Sequence, residues 1–318
     1  TDDKTYVPDY LTDNERESTS KIYEEADVFE TITIDEEAMK FIYRFFINRI
    51  WVNCFESEKE KLEAIQIAKK ELDHKNEVRR NIAKTFLEEY EGATNLPIPP
   101  IKAKTPTGKP ITPWLSQLFT AYKVTTEKHF ANFSGTGAGK TLSAIIASKA
   151  IDAKMTVIIC PNALIQNGQW KNEAEKCFDG NHTTTGYDAF NEKYDKSKSK
   201  FLIINWDKLN QPGKSTELVK TLAKQKIDLI VIDEIHFAKN VETSRFKNLG
   251  GLITEARRKN PDLKTLAMTA TPIVNELVEG KTQLQLLTGT KYHDLKTTPY
   301  TSNAIALWEK FTTVDIRH

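Results

Sequence analysis

The sequence is poor in the residue patterns that build disulfide frameworks and zinc centres. Its 318 residues contain only three cysteines, Cys54, Cys160 and Cys177, and none lies at C-x-x-C spacing from another. The six histidines are also scattered along the chain. These spacings argue against a disulfide-stapled scaffold and against a zinc site, and they are typical of a protein from a reducing compartment.

Long apolar runs and a targeting signal are also missing. The most apolar stretch, Phe41 to Phe55, is interrupted by Arg44 and Arg49, so no run approaches the roughly 18 residues of a membrane span. The chain begins at Thr1, without a charged start or an apolar signal core. We therefore expect an intracellular protein, in the cytoplasm, the nucleus or a virion, with no membrane partner. The missing initial Met indicates a fragment, a processed chain or the ordered part of a longer one.

The net charge of +1 conceals an uneven distribution. Residues 1–37 hold 13 acidic and 3 basic residues, so the rest of the chain carries +11. A mildly basic body is compatible with a polyanionic partner, although charge alone does not establish one. The acidic start is either a solvated tail or a segment that covers a basic groove.

The hydrophobic pattern divides the chain into four segments. Residues 1–34 form an acidic N-terminal segment, and residues 35–91 form a helical accessory domain whose apolar side chains recur at helical steps. Six prolines mark residues 92–113 as a linker. In residues 114–318, short apolar strands alternate with helices, which predicts an α/β domain with a parallel sheet covered by helices on both faces. The predicted strands are 130–133, 155–160, 201–204, 227–232 and 265–268.

A glycine-rich stretch, SGTGAGKT, lies between a predicted strand and a predicted helix. Glycines allow backbone N–H groups to approach a polyphosphate, and the following helix directs its positive end toward it. Lys140 adds a point charge, and Thr141 adds a hydroxyl suited to Mg²⁺. The phosphate-loop pattern is met except at its first position. The candidate phosphate-binding residues are Ser134 (in place of glycine), Gly135, Thr136, Gly137, Ala138, Gly139, Lys140 and Thr141.

Two further motifs follow predicted strands. Asp233 and Glu234 come directly after the strand at 227–232, at the carboxyl end where ligand groups collect in a parallel sheet. One carboxylate there can hold Mg²⁺, and the next can orient or deprotonate an attacking water. Thr269 and Thr271 follow the strand at 265–268, where their hydroxyls can bond to the acidic motif and to substrate.

In this order, the three motifs resemble those of the first RecA-like lobe of superfamily 2 helicases and nucleic-acid translocases. SGTGAGKT resembles motif I, DEIH resembles motif II and TAT resembles motif III. The longer stretches DEIHFAKN and TATPIVN are similar to the Swi/Snf-type branch, although Ile235 stands where that family usually has Ala. Residues 156–164 with Trp170 look like motif Ia, and residues 203–207 look like the segment near motif Ib. The likeness covers about residues 111–290.

The resemblance implies a P-loop NTPase lobe that binds ATP and Mg²⁺ and hydrolyses ATP. Lys140 and the loop amides would hold the β- and γ-phosphates, Thr141 and Asp233 would hold Mg²⁺, and Glu234 would activate water. The residues expected to couple nucleotide state to nucleic acid are His236, Thr269 and Thr271. Gln117, 17 residues before Ser134, either reads adenine or lies on a helix surface.

The implied partner is nucleic acid, and the Swi/Snf-like features favour duplex DNA. The expected contacts are Pro161, Asn162, Ala163 and Leu164 at a helix start, together with Asn205. In the family, arginines of a second RecA-like lobe complete the ATP site, and these 318 residues have no room for that lobe. We expect it in a longer polypeptide or another chain, and we expect this chain alone to bind ATP but hydrolyse it poorly.

Several functions remain open at this stage. Within the motor class, the chain fits a restriction or phage-defence motor as well as a viral transcription or remodelling ATPase. The alternative class is a nucleotide-dependent switch or scaffold that binds ATP without translocating. The acidic motif followed by TAT argues against a metabolic P-loop kinase.

Overall fold

The computed structural model describes residues 58–105, 107–185, 195 and 197–316. The predicted acidic segment and the first part of the predicted accessory domain, residues 35–57, lie outside the described residues. Within the described residues, no helix is both long enough and apolar enough to span a membrane.

A seven-stranded sheet forms the centre of the fold, and all of its strand pairs are parallel. Its strand order is β3-β4-β2-β5-β6-β1-β7. The strands are β1 (His129–Asn132), β2 (Met155–Cys160), β3 (Asn181–Thr185), β4 (Ser199–Asn205), β5 (Leu229–Asp233), β6 (Lys264–Met268) and β7 (Asp315–Ile316). The predicted α/β class with a parallel sheet is therefore confirmed.

Ten α-helices and two short 3₁₀ helices surround the sheet in the described part of the chain. The α-helices are α1 (Glu58–Glu71), α2 (Glu77–Thr94), α3 (Leu115–Thr126), α4 (Lys140–Ala150), α5 (Asn162–Gln166), α6 (Gln169–Cys177), α7 (Lys214–Ala223), α8 (Ser244–Lys259), α9 (Leu277–Thr288) and α10 (Thr301–Thr312). The 3₁₀ helices are Trp206–Leu209 and Ile235–Ala238.

The central strands are buried along their whole length and are mostly apolar, because helices cover both faces of the sheet. Every residue of β2 and β5 is buried, as expected for strands that lie inside a parallel sheet. At the carboxyl end of β1, the ring of Phe133 packs edge-on against Phe311 of α10, with 5.3 Å between the ring centroids. Burying one such side chain contributes about 1.5–3 kcal/mol, so the core holds the strand ends rigidly.

The strand register brings the three sequence motifs to one edge of the sheet. Asn132 at the end of β1 pairs with Met268 at the end of β6, and Met268 pairs with Asp233 at the end of β5. The residues that follow these three positions therefore leave the sheet side by side. This alignment places the glycine-rich loop, the acidic motif and the TAT motif next to one another.

The structure differs from the sequence prediction in several elements. Residues 162–177 form two helices in succession, because Gly168 adopts a left-handed conformation (φ 68°) between α5 and α6. Strand β3 has the polar sequence NHTTT, which carries no apolar run to reveal it. The sequence pattern also did not predict helix α10 or strand β7. Helix α2 continues to Thr94, three residues beyond the end of the predicted accessory segment at 91.

Helix α2 packs directly on the first helix of the α/β domain. Lys123 of α3 forms an ion pair with Glu89 of α2 at 3.3 Å, and the ring of Tyr122 lies against Gly92. In the segment predicted as a linker, the N–H of Lys102 donates to the carbonyl of Cys177 at 2.9 Å. The division into an accessory domain, a linker and an ATPase lobe stays a prediction. The contacts show that α2 and the segment around Lys102 both pack against residues of the predicted ATPase lobe.

Replacing Gly92 by alanine tests the contact between α2 and α3. A Cβ atom at Gly92 would clash with the ring of Tyr122, so the ring has to move. We expect G92A to lose about 1–3 kcal/mol of unfolding free energy in urea titrations. The control is G251A, because Gly251 lies in α8 and its added Cβ meets nothing within 4 Å. That variant should be neutral or up to about 1 kcal/mol more stable, and equal effects in the two variants would contradict the packing.

Candidate nucleotide-binding site

The glycine-rich loop joins β1 to α4. Gly137 and Gly139 have positive φ angles of 84° and 70°, a conformation that side chains with a Cβ rarely adopt. Ser134 is not among the described residues with positive φ, which explains why serine replaces the first glycine without strain. Its N–H donates to Oδ1 of Asn132 at 3.1 Å, so the side chain of a strand residue anchors the start of the loop.

Lys140 closes the loop with its ammonium group. Nζ donates to the carbonyls of Ser134 and Gly135 at 2.9 and 3.0 Å. Burial lowers the pKa of Lys140, while the charges of Glu234 and Asp233 act in the opposite direction. The ammonium group therefore lies between the loop and the acidic motif, where phosphate oxygens can replace the carbonyls as its acceptors.

Asp233 is a buried carboxylate held by two tryptophans. Nε1 of Trp170 donates to Oδ2 of Asp233 at 3.1 Å, and Nε1 of Trp206 donates to its backbone carbonyl at 2.8 Å. Desolvation, followed by the charge of Glu234, raises the pKa of Asp233 to about 6. A buried carboxylate of this kind gains from a cation that compensates its charge.

Glu234 forms a cluster with His236 and Thr269. The hydroxyl of Thr269 donates to Oε2 of Glu234 at 2.8 Å, and Nδ1 of His236 lies 3.1 Å from the same oxygen and 2.9 Å from the hydroxyl. The hydrogen bond from His236 is the largest cause that lowers the pKa of Glu234. Glu234 also has a left-handed backbone (φ 55°), and such strain is concentrated at functional sites.

Thr141 and Thr271 are the two remaining candidates for metal binding and coupling. The hydroxyl of Thr141 accepts from Nε2 of Gln169 at 3.4 Å. The backbone N–H of Thr271 donates to the hydroxyl of Thr269 at 3.1 Å. Thr271 is therefore tied to the cluster through its main chain, and its side chain is exposed.

The donor set fits Mg²⁺. Thr141 and Asp233 offer a hydroxyl and a carboxylate oxygen, which are hard donors of the type that Mg²⁺ prefers. The described residues contain no group of three or more His, Cys, Asp or Glu side chains that could hold a metal. This agrees with an ion that uses one or two protein ligands and completes its coordination with phosphate and water.

Gln117 has a different environment from the one expected of a base-reading side chain. It is only 5% exposed. Its Oε1 accepts from the N–H of Trp114 at 2.9 Å, and its Nε2 points at the carbonyl of Gly139 at 3.4 Å. The side chain thus links the start of α3 to the glycine-rich loop, and adenine recognition by Gln117 stays a prediction.

The candidate nucleic-acid contacts come together in part. Nδ2 of Asn205, at the end of β4, donates to Oδ1 of Asn162 at 2.9 Å. Asn162 and Ala163 are exposed, and Pro161 precedes α5 as its cap. The N–H of Leu164 donates to the carbonyl of Pro161 at 3.0 Å, so this amide is already used within the helix.

The sequence profile of the family described as "Type III restriction enzyme, res subunit" matches residues 80–274. This match covers more than half of the chain and includes all three motifs. The chain belongs to this family. The domain is the RecA-like lobe of a superfamily 2 helicase-type ATPase, which confirms the family that the motifs resemble.

One curated relative and two solved structures are also similar to this chain. An uncharacterised ATP-dependent helicase of Mycoplasma pneumoniae is 30% identical over 153 residues, which are 45% of this chain and 13% of the relative. The SWI2/SNF2 ATPase core of Sulfolobus solfataricus in complex with dsDNA aligns with 70% of this chain and 46% of its own, at 19% identity and a TM-score of 0.52. The same core domain solved alone has a TM-score of 0.50. The two structures establish the fold, and the chain spans less than half of either.

Two buried side chains, Trp170 and Glu279, make contacts that the sequence did not predict. Trp170 lies in the segment that resembles motif Ia, and the structure brings its indole N–H to the carboxylate of the acidic motif. Glu279 of α9 accepts from Nζ of Lys239 at 2.7 Å and from the N–H groups of Val274 and Asn275 at 2.9 and 3.1 Å. It thereby connects the segment after motif II to the loop after motif III. No local sequence signal marks either contact.

The buried Glu279 predicts a stability that depends on pH. Desolvation acts against its charge, but the hydrogen bonds from Lys239, Val274 and Asn275 lower the pKa from 4.5 to about 2. Because the folded-state pKa is depressed, the stabilisation is complete above pH 4.5 and is lost as the pH falls toward 2. A shift of this size corresponds to roughly 3 kcal/mol.

We expect E279Q to lower the unfolding free energy at neutral pH by roughly 3 kcal/mol. The difference from the wild type should shrink as the pH is lowered from 4.5, as measured by denaturant titrations at successive pH values. The matched control is E276Q, because Glu276 is exposed and lies three residues earlier. A pH-independent difference for E279Q would contradict the role of the carboxylate charge.

Proposed function

We propose that this chain is the ATP-binding and ATP-hydrolysing lobe of a motor that moves along duplex DNA. The observation that carries the proposal is the cluster of Glu234, His236 and Thr269 next to the glycine-rich loop. A lobe that only held nucleotide would need the loop and a cation ligand. The carboxylate of Glu234 is hydrogen-bonded to His236 in the 3₁₀ helix after β5 and to Thr269 in the loop after β6. These bonds support a site that couples ATP hydrolysis to movement of other parts of the motor.

The chemistry assigned to each residue follows from its position. Lys140 and the loop amides bind the β- and γ-phosphates, and Asp233 and Thr141 are placed to hold Mg²⁺, which would neutralise charge on those phosphates. Glu234 orients the attacking water and accepts its proton. His236 and Thr269 hold the Glu234 carboxylate in place, so movement of either would change its alignment with water.

Duplex DNA is supported as the partner by two observations. The solved core with a similar fold was determined in complex with dsDNA. In this chain, the polar pair Asn162 and Asn205 stands at the carboxyl edge of the sheet, where side-chain amides suit sugar–phosphate contacts that do not read bases. A motor needs contacts of this kind because it has to follow any sequence.

A second RecA-like lobe is part of the proposal. This chain spans 46% of the solved ATPase core and 13% of the Mycoplasma relative. Arginines supplied to a phosphoryl-transfer site accelerate related reactions by roughly 10³–10⁵. We therefore expect the 318 residues alone to bind ATP and to turn it over slowly. The family description favours a restriction motor over a viral remodelling ATPase.

Replacing Glu234 by glutamine separates a motor from a nucleotide-binding switch. In a motor, E234Q should bind ATP with nearly unchanged affinity but lose at least about 100-fold in turnover, because the base is gone. Binding is measured with a fluorescent ATP analogue, and turnover by phosphate release. K140A serves as the comparison and should lose nucleotide binding. A wild-type chain without any turnover, alone or with a second lobe added, would favour the switch.

Negative charge at the asparagine pair tests the DNA contact. N162D and N205D each place a carboxylate beside the proposed phosphate path, so each should raise the dissociation constant for duplex DNA by about 10-fold or more at low salt. Fluorescence anisotropy measures this effect. The control is N95D, which adds the same charge at an exposed position after α2. Equal weakening by all three variants would indicate a general charge effect and no contact at this pair.

A further inference from the structure

Trp170 is a fully buried residue whose polar atom points at a reactive group. Its side chain has 0% exposure, and its Nε1 donates to Oδ2 of Asp233 at 3.1 Å across 63 residues of sequence. A buried indole N–H needs an acceptor. If Trp170 had only a packing role, a backbone carbonyl would be a sufficient acceptor. Here the acceptor is the side chain that is the candidate cation ligand.

This hydrogen bond restricts the rotation of the Asp233 carboxylate. Asp233 is 6% exposed, so water contributes little to its orientation. The indole engages one carboxylate oxygen and so determines where the other oxygen points. Hydrogen-bond partners of metal ligands act in this way, and their loss typically weakens metal binding by 10–100-fold.

The neighbouring residue makes a parallel contact with the second candidate ligand. Gln169 directs Nε2 toward the hydroxyl of Thr141 at 3.4 Å. Both residues stand at the start of α6, directly after the left-handed Gly168 that begins this helix. The start of one helix therefore contacts Asp233 and Thr141, which come from two other elements of the fold.

Trp206 provides an internal comparison. It is also buried, with 2% exposure, and its Nε1 donates to the backbone carbonyl of Asp233 at 2.8 Å. Trp206 therefore holds the main chain of the acidic motif, whereas Trp170 holds its carboxylate. The two tryptophans have equal size and similar burial, but Trp170 donates to the carboxylate of Asp233 whereas Trp206 donates to its main chain.

We propose that Trp170 is a positioning residue for the cation site. Its indole N–H orients the Asp233 carboxylate so that the nucleotide-bound lobe takes up Mg²⁺. The inference rests on the proposed function, because it assumes that nucleotide and Mg²⁺ bind at this site. It adds a role for the start of α6 that the motif Ia resemblance does not include.

The test is the variant W170F, which keeps an aromatic ring and removes the N–H donor. With a fluorescent ADP analogue bound, the half-saturating Mg²⁺ concentration should rise by about 10-fold or more. Binding of Mn²⁺ to the ADP-bound chain, followed by electron paramagnetic resonance, should weaken to a similar extent. Affinity for the analogue in EDTA should stay within about twofold, because the glycine-rich loop is unchanged.

W206F is the matched control. It makes the same chemical change in an equally buried tryptophan, and thermal unfolding shows whether the two variants lose similar stability. We expect W206F to raise the half-saturating Mg²⁺ concentration by less than W170F does, because the hydrogen bond from Trp170 to the carboxylate remains. If W170F left that concentration unchanged, or if W206F raised it as much as W170F does, the inference would be overturned.

A second measurement needs no substitution at Trp170. The wild-type chain with ¹⁵N-labelled indoles has five indole signals, and that of Trp170 is assigned by elimination with single Phe variants of Trp51, Trp114, Trp206 and Trp308. Adding Mg²⁺ to the ADP-bound chain should shift the Trp170 signal more than the Trp206 signal. A Trp170 signal that does not move would contradict the inference even if W170F failed to fold.

The wild-type data separate the two levels of inference. A wild-type chain that binds the ADP analogue no better with Mg²⁺ than in EDTA would count against the proposed function itself. A wild-type chain with clear Mg²⁺ dependence, combined with an unchanged W170F, would leave the proposed function intact and remove only the role of Trp170.

Discussion

The site depends on the register of three parallel strands. Because Asn132, Met268 and Asp233 pair across neighbouring strands, the segments that follow them leave the sheet side by side. A slip of one residue would turn every side chain of a strand to its opposite face. Side chains on both faces of these strands are packed in the core, so a slip would disrupt that close packing. The hydrophobic core therefore sets the distances between the groups of the candidate site.

Burial at this edge has an electrostatic consequence. Asp233 lies under helix α6 with little access to water, and its charge is opposed by desolvation and by Glu234. The donor from Trp170 and the nearby ammonium of Lys140 compensate in part. The site therefore favours any partner that adds positive charge near the carboxylate. Under the proposed function, Mg²⁺ held together with a nucleotide would supply this positive charge.

A second buried carboxylate extends the site toward the surface. Glu279 holds Lys239, which follows the acidic motif, and the backbone at Val274 and Asn275, which follows the TAT motif. The exposed side chains of Ile273 and Val274 lie in this loop. Glu279 thus connects the segments that follow His236 and Thr269 to an exposed loop. Through these contacts, a change in the alignment of the cluster can move that loop. In a motor, such a connection is needed to convert hydrolysis into movement.

Local patterns in the sequence determined five of the seven described strands, the glycine-rich loop and the order of the three motifs. These features could be predicted because runs of Val and Ile, closely spaced glycines and acidic pairs need no knowledge of distant residues. The burial of Gln117, the break of the helix at Gly168 and the polar strand β3 could not be predicted, since each depends on neighbours from elsewhere in the chain. Only the tertiary structure decided which groups touch Asp233. A hydrogen bond between Trp170 and a carboxylate 63 residues away has no local signal, because packing of α6 against the sheet creates it.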